Sequence, residues 1–136
     1  MTGRPQVAVG AIVTDAQGRV LLIQRGHPPS QGRWSVPGGR VERGETLAQA
    51  LLRELAAETG LMARLGPLAE VIEYIDDSYH YVILDYLMTD PLGELRAGED
   101  ATDARFVAME DLADYPTTDG LLEVLQRALR PRNEAP

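Results

Sequence analysis

Residues 34–61 read WSVPGGRVERGETLAQALLRELAAETGL, a glycine-rich turn feeding a helix with carboxylates on one side. Thr46 and Gln49 have the spacing of a capping box, the reciprocal side-chain arrangement that satisfies free N–H groups at a helix start. Gly60 stands where a left-handed residue ends a helix. Together these signals predict a helix over residues 47–59. Leu47, Leu51 and Leu55 recur every four residues with Ala48 and Leu52 beside them, so one stripe is apolar and faces a core. Glu54 and Glu58 lie one turn apart elsewhere on the circumference, about 6 Å along the axis. Like charges at that spacing weaken an isolated helix by roughly 0.2–0.5 kcal/mol, and a divalent cation between them reverses the sign. On a random helix such a pair is ordinarily a solvated face; here its meaning comes from its surroundings.

The segment resembles the signature of the Nudix hydrolases, G-x5-E-x7-R-E-U-x-E-E-x-G-U with U aliphatic. Gly39, Glu45, Arg53, Glu54, Leu55, Glu58, Gly60 and Leu61 meet it, and Trp34, Pro37 and Gly38 agree with residues that commonly precede it. A match at this many fixed spacings is far more specific than a lone glycine motif. The resemblance implies an α/β fold, the Nudix α/β/α sandwich with a mixed β-sheet between helices. It implies divalent-metal-dependent hydrolysis of the pyrophosphate bond of a nucleoside diphosphate linked to another moiety, with Mg²⁺ or Mn²⁺ as cofactor. Positions matching Gly38 (through its carbonyl), Glu54 and Glu58 are metal ligands in the family, and Arg53 pairs with Glu45 to hold turn and helix in register. Ala57 departs from the pattern, standing where the first of two adjacent glutamates belongs. Its loss implies fewer or more weakly held ions, and leaves a catalytically weak nucleotide-binding domain as an alternative.

The rest of the composition agrees with a small-molecule enzyme. A chain of 136 residues suits one domain, taken as residues 1–130, with a frayed tail at 131–136. A net charge of −8 argues against a surface that grips a nucleic-acid polymer or an anionic membrane. It leaves a small phosphorylated substrate open, because a bound ion inverts the local sign. Without cysteine there is no disulfide framework or thiol nucleophile. No apolar run suggests a signal peptide or a membrane span, so a cytoplasmic protein is expected.

Along the chain, residues 7–14 are apolar on both alternations and predict a central strand covered on both faces. Residues 15–18 read as a turn and 20–24 as a second strand forming a hairpin with the first. Gly66-Pro67 is expected to break the chain before two strands at 69–75 and 79–88 joined by residues 76–78. A polar loop is expected at 89–102, a short strand at 104–108, a short helix at 109–113, and an amphipathic helix marked by Leu121, Val124, Leu125, Ala128 and Leu129.

Further site candidates are graded by their surroundings. Relatives in the family often supply another ligand from the loop before the last strand, where Glu99, Asp100 and Asp103 stand; Asp100 is the choice, against a plain solvated acidic loop. Glu54 is the first candidate to activate water and an acid of this loop the second. Arg25 is a candidate for a substrate phosphate, with an ordinary salt bridge as its equal. Asp119 reads as an N-cap, although some nucleoside triphosphatases of the family place a base-reading group near there. His27 and His80 have no second imidazole at ligand spacing, and Trp34 reads as a buried anchor. For the substrate, the segments around HYVILDYL and GELRAGEDATDARFV resemble a branch that acts on ADP-ribose or a similar nucleotide sugar. The proline that marks dedicated ADP-ribose enzymes is missing, so nucleoside triphosphates and dinucleoside polyphosphates stay open. Relatives are often homodimers, and the tyrosine-rich strands offer a surface for one.

Overall fold

The expected helix forms as α1, Leu47–Thr59, with both halves of its capping box in place. Thr46 Oγ1 accepts from the Gln49 N–H at 3.1 Å, and Gln49 Oε1 accepts from the Thr46 N–H at 2.8 Å. Gly60 ends the helix with φ of 76°, a conformation that costs glycine nothing. These details come from a computed structural model that describes residues 3–98 and 100–130. Seven strands accompany α1: β1 Gln6–Val13, β2 Val20–Arg25, β3 Trp34–Ser35, β4 Gly38–Arg40, β5 Leu61–Ile75, β6 His80–Gly93 and β7 Ala101–Val107. A 3₁₀ turn at Met109–Asp114 and α2, Leu121–Ala128, complete the described chain.

The strands form a mixed sheet in the order β4-β1-β6-β5 and an antiparallel one in the order β3-β2-β7. β1 is central, antiparallel to β4 and parallel to β6. Its two-sided apolar pattern has the predicted consequence. Val9, Ala11 and Val13 pack with Leu51 and Leu55 of α1, while Ile12 joins Val20, Leu22 and the α2 residues Val124 and Leu125. The helical stripe is shifted slightly from the expected one: Ala50, Leu51 and Leu55 are buried, whereas Leu52 is 39% exposed. No helix among the described residues is long and apolar enough to cross a membrane.

Four sequence expectations need correction. β1 and β2 do not form a hairpin, because β4 and β6 already occupy both edges of β1; β2 pairs with β3 and β7 instead, and only Thr14 bridges Val20. Gly66-Pro67 does not interrupt β5. The strand carries register shifts between Leu65 and Leu68 and lies at the sheet edge, where proline's missing N–H is tolerated. A Cβ at Gly66 would lie 2.7 Å from the Leu87 carbonyl oxygen, so this close approach requires glycine. The polar loop expected at 89–102 is shorter, since Thr89, Leu92 and Gly93 extend β6 by pairing with Arg64, Met62 and Leu61. Asp119 is not an N-cap: Gly120 occupies that position, and no side chain caps α2. The expected tail at 131–136 lies outside the described residues.

Candidate active site

The turn and α1 meet through one guanidinium. Arg53 donates from Nε to Glu45 Oε2 at 2.6 Å and from Nη2 to Glu45 Oε1 at 2.9 Å, a bidentate fork that matches a carboxylate's geometry. The same group donates to Glu54 Oε2 at 2.8 Å and to the Arg40 carbonyl at 3.1 Å. It therefore ties the end of β4, the segment before α1 and an acid of α1 to a single plane. The Arg53 hydrogen bonds hold Glu45 down at about 2, and the bond to Glu45 raises the arginine in turn.

Glu54 and Glu58 lie under the glycine turn. A Cβ at Gly39 would fall 2.5 Å from the Glu54 carboxyl carbon, so only glycine lets the acid rest there. Glu58 is 7% exposed, and its Oε1 accepts from the Gly38 N–H at 2.9 Å. Burial pushes Glu58 up to about 7, opposed by the Gly38 hydrogen bond and reinforced by Glu54 and Asp100. Glu54 is raised too, chiefly by burial, with Arg53 acting against it. Two carboxylates thus stand close together with less positive charge than ionising both requires.

A cleft of about 330 Å³ opens beside Glu58, lined by Ala56, Ala57, Glu58, Arg96, Gly98 and Asp100. Ala57 is exposed, so the position that departs from the family pattern faces this cleft rather than the core. The segment after β6 reaches the site through the end of α1: the Gly98 N–H donates to the Glu58 carbonyl at 2.8 Å and the Arg96 N–H to the Thr59 carbonyl at 3.0 Å. Asp100 is close enough to raise both glutamates, and His27 Nε2 lies 3.4 Å from its Oδ1. Among the described residues, however, no three histidine or acidic side chains gather at ion-holding distance. The geometry therefore joins Glu54 with Glu58 and leaves Asp100 at the margin.

Other candidates are sorted as clearly. Arg25 is half-buried, donates to the Pro29 carbonyl, and acts on Glu58 from outside α1. Asp119 is exposed. Asp103 lies in β7 and pairs with Arg105; Glu99 lies outside the described residues. Trp34 is a buried anchor, 5% exposed, with Tyr115 edge-on at 5.2 Å and Arg105 over its ring at 5.3 Å. His80 is exposed.

The donor set fits a hard divalent cation. Such ions take carboxylate, carbonyl and water oxygens, and the described pair offers carboxylates whose mutual repulsion an ion relieves. Those residues are Glu54, Glu58 and the backbone of Gly38.

One acid escaped the sequence reading. Asp85, in the apolar run of β6, is 3% exposed; burial, then Glu70, pushes it up to about 6 from 3.8. The folded protein holds this proton more tightly than the unfolded chain, so the contribution is intact below pH 3.8 and is lost as pH rises through about 6. The loss is on the order of 3 kcal/mol. Urea unfolding of Asp85→Asn is therefore expected to show it more stable than the parent by about 1–3 kcal/mol at pH 8, with the gap closing toward pH 4. A gap independent of pH would contradict the burial argument.

Comparison with known proteins agrees with the geometry. The chain is 39% identical over 110 residues to the ADP-ribose pyrophosphatase of Methanocaldococcus jannaschii, covering 79% of this chain and 64% of that protein. The structure of a MutT NUDIX hydrolase from Burkholderia pseudomallei superposes with a TM-score of 0.82 at 32% identity, covering 91% of this chain and 98% of that one. A bifunctional NMN adenylyltransferase/ADP ribose pyrophosphatase from Francisella tularensis, complexed with AMP and a manganese ion, gives 0.77 at 25% identity over 90% of this chain and 40% of its own. This chain thus spans less than two thirds of the M. jannaschii relative. The model of the NUDIX domain matches residues 4–128, nearly the whole of the described fold, and the chain belongs to that family.

Proposed function

We propose that this chain hydrolyses the pyrophosphate bond of a nucleoside diphosphate joined to a second moiety, with ADP-ribose the favoured compound and Mg²⁺ or Mn²⁺ the cofactor. The observation that carries this reading is the crowding of Glu54 and Glu58 against the Gly38-Gly39 turn beside an open cleft. The M. jannaschii relative's name supports the choice of ADP-ribose, and the manganese and AMP in the F. tularensis structure support the cofactor and the nucleotide class.

When bound, the divalent ion supplies charge neutralisation on the pyrophosphate oxygens and lowers the proton affinity of the attacking water. The chain's own residues do the rest. Glu54, Glu58 and the Gly38 carbonyl would hold the ion, and Arg53, anchored by its fork with Glu45, fixes Glu54. Glu54 takes the proton of the attacking water, while Arg25 meets a phosphate oxygen. Asp100 adds negative charge at the margin, and Asp119 lies toward the nucleoside end.

The test is ADP-ribose in ¹⁸O-labelled water with Mg²⁺ or Mn²⁺, with and without chelator. AMP and ribose 5-phosphate are expected as products, label in one of them only, and no turnover once the ion is removed. Turnover that survives chelation sinks the metal-dependent reading, and a panel of nucleoside diphosphate derivatives and triphosphates without any product sinks the hydrolase.

A further inference from the structure

The hydrolytic reading leaves unused the face of the mixed sheet turned away from α1. Met88 and Tyr86 of β6 pack on the α1 side, and Leu87 packs in the α2 cluster, so alternation puts Tyr81, Ile83 and Asp85 on the latter face. Opposite them on β5 stand Tyr74, Ile72 and Glu70. Tyr79 continues the row, its ring stacked on Tyr81 with centroids 5.6 Å apart and planes inclined by 17°. An aromatic and aliphatic lane therefore runs down the hairpin and ends at a carboxylate.

Among the described residues that carboxylate has no hydrogen-bond partner; burial and the like charge of Glu70 act on it. The nearest guanidinium is already engaged: Arg127 donates to Glu70 from Nε at 3.1 Å and Nη2 at 3.3 Å. Yet no buried side-chain oxygen among the described residues is both sealed from solvent and unpaired. Asp85, 3% exposed, is therefore not wholly sealed from solvent. Room for them comes from Gly10, where a Cβ would overlap Oδ1 and a Val36 methyl lies 3.4 Å away. A buried acceptor without a donor is costly to the fold, and a ligand that brings a donor removes the cost.

The lane and the acid pair are linked through the edge strand β4, although α1, which carries the acids, packs on the opposite face of the sheet. Asp85 pairs with Gly10, Gly10 with Gly38, and the Gly38 N–H reaches Glu58. At about 4.8 Å per strand, roughly 10 Å of sheet separates Asp85 from Gly38, a span for a ribose and a base.

We propose that Asp85 determines base specificity, accepting a hydrogen bond from the exocyclic amino group of a nucleobase that lies along Tyr81 and Ile83. This rests on the reading of the ligand as a nucleoside diphosphate derivative. Adenine, with a 6-amino donor, is then preferred over hypoxanthine, which offers a 6-keto acceptor at the same place. The interaction is a charge-assisted hydrogen bond in a desolvated site, which discriminates by about 10-fold or more.

The experiment is calorimetric titration of AMP and IMP with Mg²⁺ into the parent, Asp85→Asn and Asp85→Ser. The parent is expected to bind AMP at least about 10-fold tighter than IMP. In Asp85→Asn the ratio collapses or inverts, because an amide can donate to the keto oxygen; in Asp85→Ser it shrinks through loss of AMP affinity. A parent that binds both nucleotides alike, or neither, overturns the proposal, as does a ratio unchanged in either variant. Binding does not need turnover, so the two readings fail separately. Metal-dependent hydrolysis of ADP-ribose with an unchanged ratio defeats only the role of Asp85. A collapsed ratio without any hydrolysis defeats only the enzyme.

Discussion

Glu58→Gln is expected to lower metal-dependent turnover by more than about 100-fold, with the fold intact. Mutating groups that merely orient metal ligands typically costs 10–100-fold, and Glu58 is assigned here as a ligand itself. The substitution keeps the side chain's volume and an oxygen to accept the 2.9 Å bond from the Gly38 N–H. It removes a charge that burial already disfavours. The variant should therefore melt no lower than the parent in chelator, while its response to added Mn²⁺, both in activity and in melting temperature, disappears. Turnover equal to the parent's would dismiss the assignment of Glu58, and an unfolded variant would show that the residue's role is structural.

Arg53→Lys carries the second large effect. A lysine keeps the charge but cannot make the two-pronged contact with Glu45 or reach Glu54 and the Arg40 carbonyl at once. With Arg53 proposed to position Glu54, the expected loss is about 10–100-fold, with a rise in the Mn²⁺ concentration needed for half activity. Glu45→Gln should resemble it, and the double variant should be little worse than either, because both break one unit. Additive losses, with metal dependence unmoved, would mean that the two residues act apart.

The features that were legible in the sequence are those set by local chemistry. Thr46, Gln49 and Gly60 mark the ends of α1 because capping and left-handed φ are properties of a few neighbouring residues. β1 announced itself as central because apolar residues on both alternations have no solvated face. Errors arose where a distant partner decided. Which strand lies beside β1 depends on β4 and β6, which take the edges a hairpin would need. Pro67 survives inside β5 because that strand is at an edge, and Thr89 becomes strand because Arg64 lies opposite. Leu52 matched the helical spacing yet falls at the exposed margin of the stripe. In the site, Glu45, Arg53, Glu54 and Glu58 are brought together as the family resemblance implied. Asp100 stands further out, and Asp119 is not the cap its position suggested. Asp85 had only one faint signal, a lone acid inside HYVILDYLM, and its meaning appears only with Gly10 beside it.

The way α1 stops has a chemical consequence of its own. The last carbonyls of any helix need donors from elsewhere, and here those of Glu58 and Thr59 are answered by peptide N–H groups of residues 98 and 96. A backbone debt at the C-terminus thus anchors the segment that carries Asp100, two residues further on. The place of the Asp100 charge beside the cleft is consequently set by main-chain hydrogen bonding: loosening that seam would withdraw a charge from the site without altering a single acidic residue.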